Sequence, residues 1–292
     1  MYGPRKWQLD SGLCSRLDRP KTPSKSGIGC EFEMEFDERV SMTYCVGVLL
    51  DDGVVLGSDS RTHAGIDDFA SFCKMTVYER PGDRVLVLLS SGSLAGTQAV
   101  IGVLRRQAEA AATAGAVADG PFTLRTAPTM FDVACVVSDA MRAIERRDKE
   151  HLERNSLSFN ASFILGGQIR GEQVRLFRIY AEGNFIEAGP GTRFFQTGEV
   201  KYGKPILDRV IEPSTSLNDA AKCVLVSFDS TMRNNLSVGM PIDLICYERD
   251  ALAIHKRHRF EQGDPYFGAL SKKWGQGVRA VFNELPDPPW SG

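Results

Sequence analysis

The chain has 292 residues, 42% of them hydrophobic and 25% charged, with a formal net charge of −2. It is long enough to bury a sizeable core, and it lacks the basic face that a nucleic-acid binder needs. No apolar run nears the roughly 18 residues of a membrane span, and no apolar segment follows Arg5 and Lys6 to make a secretory signal.

In chain order, residues 1–42 stand apart. "DRPKTPSKSGIG" is rich in Pro, Ser and Gly without periodicity, which predicts disorder. "CEFEMEFDER" alternates like a strand but has no evident partner. The domain proper is expected over 43–292. "TYCVGVLL" and "VVLGSDSR" flank "DDG", a hairpin signal. "SFCKMTVYE" and "RVLVLLSSG" repeat the form around "RPGD". A helix follows in "SLAGTQAVIGVLRRQAEAA", then a loop, then a long helix in "APTMFDVACVVSDAMRAIERRDKEHLER". Strands are predicted in "ASFILGGQI", "VRLFRIYA" and "NFIEAG", and helices in "GKPILDRVI" and "LNDAAKCVLVSFDSTMRNN". A strand pair in "PIDLICYERDALAIHKRHRF" and a last helix stopped by "PDPP" complete the chain. Runs of strands followed by runs of helices indicate an α+β fold, with two antiparallel sheets and helices outside.

The chemistry centres on Thr43. A threonine hydroxyl is a weak nucleophile and needs a base. None of the four histidines lies in a nucleophile motif, and "HKRH" reads as a solvated face. If Met42 is removed, the α-amine of Thr43 sits beside its own hydroxyl, and such an amine titrates near pH 7.7–8.0, close to ideal for a general base. Asp59 ends the second strand, and Lys74 is expected in the middle of the strand "SFCKMTVYE", where a lysine needs a partner. Asp59 is the natural one, and a nearby ammonium favours an alkoxide. At Gly92–Ser93 a strand turns into a helix, where backbone N–H groups can hold an oxyanion.

"TYCVGVLLDDGVVLGSDSR", "KM" and "SSGSLAGTQ", in that order, resemble proteasome β-type subunits of the N-terminal nucleophile hydrolases. "MTYCVG", "SDSRTHAG", "FDSTMRNNLSVGMPIDL" and "WGQGVRAVFNELPDPPW" are similar to the bacterial Anbu group within them. The resemblance spans about residues 42–290. It implies a four-layer αββα sandwich and peptide-bond hydrolysis through an acyl-enzyme, with no cofactor or metal. Thr43 would be nucleophile and base, Asp59 and Lys74 the supporting pair, and the Gly92 N–H the oxyanion donor. Two positions depart. Glu199 stands where those subunits usually have a serine, and Asn234 where they have an aspartate, three residues before a retained Ser237. Glu199 would raise the amine's pKa. The implied partners are further copies of the chain in a ring or spiral and a peptide or amide substrate, with no nucleic acid or membrane.

Translation starting at Met42 is the expected origin of a free Thr43 amine, with a propeptide as the alternative. Glu38-Arg39 can be encoded by a purine run of the ribosome-binding type. Cysteine usage supports a cytoplasmic location: seven residues without a CxxC pair, with Cys45, Cys135, Cys223 and Cys246 in apolar runs. Two other functions stand beside the peptidase. One is an amidase acting on a non-protein or modified-peptide amide. The other is an inactive structural subunit, against which the joint presence of Thr43, Asp59 and Lys74 argues.

Overall fold

A computed structural model describes residues 43–63, 69–114, 120–155 and 157–290. The extension expected over 1–42, including the possible strand in "CEFEMEFDER", lies outside the described residues.

Two five-stranded antiparallel sheets form the centre. In the first, β1 (Tyr44–Leu50) and β2 (Gly53–Asp59) make the hairpin expected from "DDG". A small hairpin follows, β3 (Arg61–His63) with β4 (Phe69–Ser71). The second sheet starts with β5 (Met75–Arg80) and β6 (Arg84–Gly92). Helices α1 (Leu94–Ala114) and α2 (Met130–Arg154) come next, the latter capped by Thr129, whose hydroxyl accepts from Asp132 N. Strands β7 (Ala161–Ile169), β8 (Arg175–Ile179) and β9 (Phe185–Glu187) complete the order β5-β6-β7-β8-β9. The chain then returns to the first sheet through β10 (Phe194–Gly198). Helices α3 (Lys204–Val210) and α4 (Leu217–Asn234) lead to β11 (Ile242–Glu248), β12 (Lys256–Phe260) and α5 (Pro265–Asn283). The first sheet is ordered β10-β1-β2-β11-β12.

Strand alternation builds three apolar layers. In β6, Val85, Val87 and Leu89 face the other sheet and meet Cys45, Val54 and Leu56. Leu86 and Leu88 face the opposite way, onto Val100, Leu104, Val133 and Val137 of α1 and α2. In β1, Tyr44, Val46 and Val48 pack on Val224 and Phe228 of α4. The result is a helix–sheet–sheet–helix sandwich of the α+β class, as expected. No helix among the described residues is long and apolar enough to cross a membrane.

Two local expectations change. Lys74 precedes β5 instead of sitting inside a strand, because the segment opens at Phe72–Lys74 before pairing begins at Met75. β10 has no counterpart among the predicted strands. Its five residues, "FFQTG", end in glycine and carry too little alternation to stand out. The "HKRH" stretch is exposed, as expected for a solvated face.

Candidate active site

Thr43 is buried at the foot of β1. Cys45, two residues on, belongs to the layer between the sheets, so by alternation the Thr43 side chain faces the same way. Opposite it runs the end of β10. Tyr44 pairs with Gly198, and Glu199 N donates to the Thr43 carbonyl at 2.7 Å. Gly198 ends β10 with φ +89°, so Glu199 is tied to Thr43 through its backbone.

Asp59 comes from the neighbouring strand β2. Its Oδ1 accepts from Lys74 Nζ at 2.8 Å and from Tyr44 N at 3.0 Å. Lys74 Nζ also donates to the Arg61 carbonyl at 2.6 Å. One carboxylate oxygen thus ties the lysine to the first peptide group after Thr43. Burial pushes the Asp59 carboxyl up to about 6; the Lys74 charge, its hydrogen bond and the Tyr44 N–H pull the other way. The backbone N–H of Gly239 also acts on the Asp59 carboxylate and lowers its value.

The second sheet supplies the facing wall. Ser90 N donates to the Lys74 carbonyl at 2.9 Å. Alternation along β6 turns the Gly92 N–H toward the same edge as that of Ser90. Gly92 has φ +100°, and a Cβ there would lie 2.3 Å from the Asn160 carbonyl oxygen, so only glycine holds this turn. The next residue, Ser93, opens α1 by accepting at its hydroxyl from Gly96 N. Below the turn, Ser91 Oγ lies 2.7 Å from Thr197 Oγ1 and 3.0 Å from Ser162 Oγ, joining the end of β6 to the end of β10. Among the described residues no three His, Cys, Asp or Glu side chains gather to hold a metal ion.

No protein-family model and no curated protein matches the chain. Solved structures do. A structure of Anbu from Hyphomicrobium sp. strain MC1 is 47% identical, with TM-score 0.75, covering 85% of this chain and 100% of that one. Anbu (ancestral beta-subunit) from Yersinia bercovieri is 40% identical, with TM-score 0.77 over the same shares. The helical assembly of the Anbu complex from Pseudomonas aeruginosa is 44% identical, with TM-score 0.77, covering 85% of this chain and 98% of that one. This chain belongs to the Anbu family.

Its proteasome-like sandwich joins Asp59 to Lys74 and to Tyr44 N, and the Glu199 backbone to Thr43. The loop after α4 adds the remaining residues, with one change to the expected set. Asn234 of this Anbu chain is the last residue of α4; it is exposed, and its amide returns to the Ser230 carbonyl at 2.7 Å. The next residue, Asn235, reaches the site instead. Its Nδ2 donates to Glu199 Oε2 at 3.1 Å, and its Oδ1 accepts from Ser237 N at 2.9 Å. Arg61 Nη1 holds the same loop through the Leu236 carbonyl at 2.8 Å. Sequence reasoning counts back three residues from Ser237 to Asn234, whereas the side chain bonded to Glu199 is that of its neighbour Asn235. The usable signal is that a side chain still inside a helix's last turn follows the helix surface, whereas the residue after it is free to turn back.

Proposed function

We propose that this chain is an N-terminal threonine hydrolase that cleaves peptide bonds through an acyl-enzyme. The observation that carries the reading is the Asp59 oxygen shared between Lys74 and Tyr44 N beside Thr43. The catalytic chain in this reading is 43–292, with the α-amine of Thr43 free. Thr43 Oγ1 attacks the substrate carbonyl while the amine, directly or through one water, takes the hydroxyl proton. Lys74, ion-paired with Asp59, stabilises the developing alkoxide. The tetrahedral oxyanion is met by the Gly92 N–H. Collapse breaks the C–N bond, and the protonated amine returns its proton to the leaving nitrogen. The ester left on Thr43 is then hydrolysed by a water that the same amine deprotonates.

Glu199, held by Asn235, is tied through its backbone to the residue that carries the amine and favours the protonated form. Ser237 supports Asn235 through its backbone. Glu199 and Asn234 stand where a serine and an aspartate are usual, and Asn235 holds Glu199, so proton handling differs from that of a standard proteasome subunit.

The Pseudomonas aeruginosa relative is described as a helical assembly. We extend homo-oligomerisation in a ring or spiral to this chain, with the clefts turned inward. The five cysteines placed in the structure are free thiols, which fits a cytoplasmic location.

The test is turnover of a fluorogenic peptide library by the chain beginning at Thr43, beside its Thr43→Ala variant. Cleavage lost in the variant is expected. Equal cleavage by both would overturn the assignment. Hydrolysis of small amides to acid and amine with no peptide cleaved would favour the amidase.

A further inference from the structure

We propose that Ser91, Ser162 and Thr197 are positioning residues for the hydrolysis. Their closed triangle of hydroxyls fixes the Gly92 turn of one sheet against the Thr43 strand of the other. The proposal rests on the reading of Thr43 as nucleophile and of the Gly92 N–H as oxyanion donor.

Those two groups belong to different sheets. Thr43 leads into β1 of the first, and Gly92 ends β6 of the second. Between the sheets lies an apolar layer that includes Val54, Leu56, Val85, Val87 and Leu89. Apolar contact is non-directional, so it sets the separation of the sheets better than their registration. Attack and oxyanion binding depend on registration, because reacting atoms have to meet within about 3–3.5 Å.

Hydrogen bonds supply the missing direction. Ser91 Oγ lies 2.7 Å from Thr197 Oγ1 and 3.0 Å from Ser162 Oγ, and Ser162 Oγ lies 2.8 Å from Thr197 Oγ1. Each hydroxyl has one proton to donate and lone pairs to accept, so the three close a ring in which every proton is used. Ser91 and Thr197 are buried and Ser162 is half-buried. The strands carry the ring to the site. Ser91 precedes Gly92 and is paired with Ser162 across β6 and β7. Thr197 on β10 is paired with Cys45 on β1, two residues from Thr43. The start of β7 also holds the far side of the turn, where Ser93 N donates to the Asn160 carbonyl at 2.6 Å. The turn is thus pinned to its own sheet on one side and to the nucleophile's sheet on the other. Apolar side chains of the same shape at all three positions would satisfy burial about as well, so the fold alone does not call for hydroxyls here.

The test uses the chain beginning at Thr43. The triple variant Ser91→Ala, Ser162→Ala, Thr197→Val removes the ring without leaving an unpaired hydroxyl. It is expected to melt near the wild type, to lose roughly tenfold to a hundredfold in kcat, and to keep its KM. A peptide aldehyde reports on the oxyanion position directly, because its hemiacetal with Thr43 sets an oxygen at the Gly92 N–H. Aldehyde affinity should fall by the same factor as kcat, and affinity for the matching peptide alcohol should not change. Thr197→Val alone should also slow kcat, whereas Thr197→Ser keeps the hydroxyl and should retain most of the turnover; this pair decides the matter if the triple variant does not fold. Wild-type kcat in the folded triple variant would overturn the positioning role. So would a loss carried by KM with aldehyde affinity unchanged, or a Thr197→Ser enzyme no faster than Thr197→Val. A wild-type chain that neither turns over peptides nor binds the aldehyde would instead overturn the Thr43 reading, and the proposal with it.

Discussion

Lys74 and Asp59 form a buried ion pair with Nζ and Oδ1 2.8 Å apart and side chains only 8% and 0% exposed. Removing the cation from such a pair strands the other charge, at about 3–5 kcal/mol. Lys74→Ala is therefore expected to lower the melting temperature as well as to slow hydrolysis, the latter by roughly 10²–10³-fold. The double variant Asp59→Asn with Lys74→Met should recover most of the stability and none of the activity. Thermal melts beside peptide turnover check this. A stable double variant that still turns over would remove the pair from the mechanism.

The same carboxyl sets a pH dependence of opposite sign for stability and activity. Its value rises from 3.8 to about 6 in the folded chain, mainly through burial. Between those values the folded state holds a proton that the unfolded state has lost. Asp59 therefore stabilises the fold most below pH 3.8, and that contribution fades as pH rises through about 6. Activity needs the ionised pair and moves the other way. An α-amine base adds its own limb, above its ordinary range of about 7.7–8.0 because Glu199 favours the protonated form. The logarithm of kcat/KM should fall with slope one below that limb and more steeply below about 6. A slope that stays at one down to pH 5 would contradict the role of Asp59.

Gly92→Ala tests the oxyanion turn. The residue has φ +100°, and the new methyl would meet the Asn160 carbonyl. Strain of this kind costs about 1–3 kcal/mol, and the turn has to move to relieve it. Activity should fall by on the order of 10²-fold or more, with a modest drop in melting temperature. An active Gly92→Ala enzyme would place the oxyanion elsewhere.

Asn234 and Asn235 are adjacent yet predict opposite outcomes. Asn235→Ala frees Glu199 and should slow turnover on the order of tenfold to a hundredfold. Asn234→Ala removes one exposed bond to the Ser230 carbonyl and should leave stability within about 0.5 kcal/mol and activity unchanged. Kinetics on the two variants side by side decide it, and the reverse ranking would contradict the geometry.

Much of the fold was legible because its signals are local. The turn at Asp51–Asp52, the "RPGD" turn and the Thr129, Ser216 and Asp264 caps each announce an element boundary. The Asp59–Lys74 pairing was legible because a lysine among apolar neighbours needs an anion. What stayed hidden depends on long-range pairing. β10 is short and becomes a strand by docking on β1, from Tyr44–Gly198 to Val48–Phe194. The choice between Asn234 and Asn235 depends on where α4 ends, and a single residue of helix phase reverses it.

The most direct measurement is the mass of the Thr43 peptide after treatment with a peptidyl epoxyketone. That reagent forms two bonds and needs a hydroxyl and a free amine on the same residue. Residue 43 is expected to carry a doubly bonded adduct at its N-terminus, absent in Thr43→Ala. A chain that cleaves peptides but carries no adduct, or carries it on another residue, would contradict Thr43 as nucleophile and base.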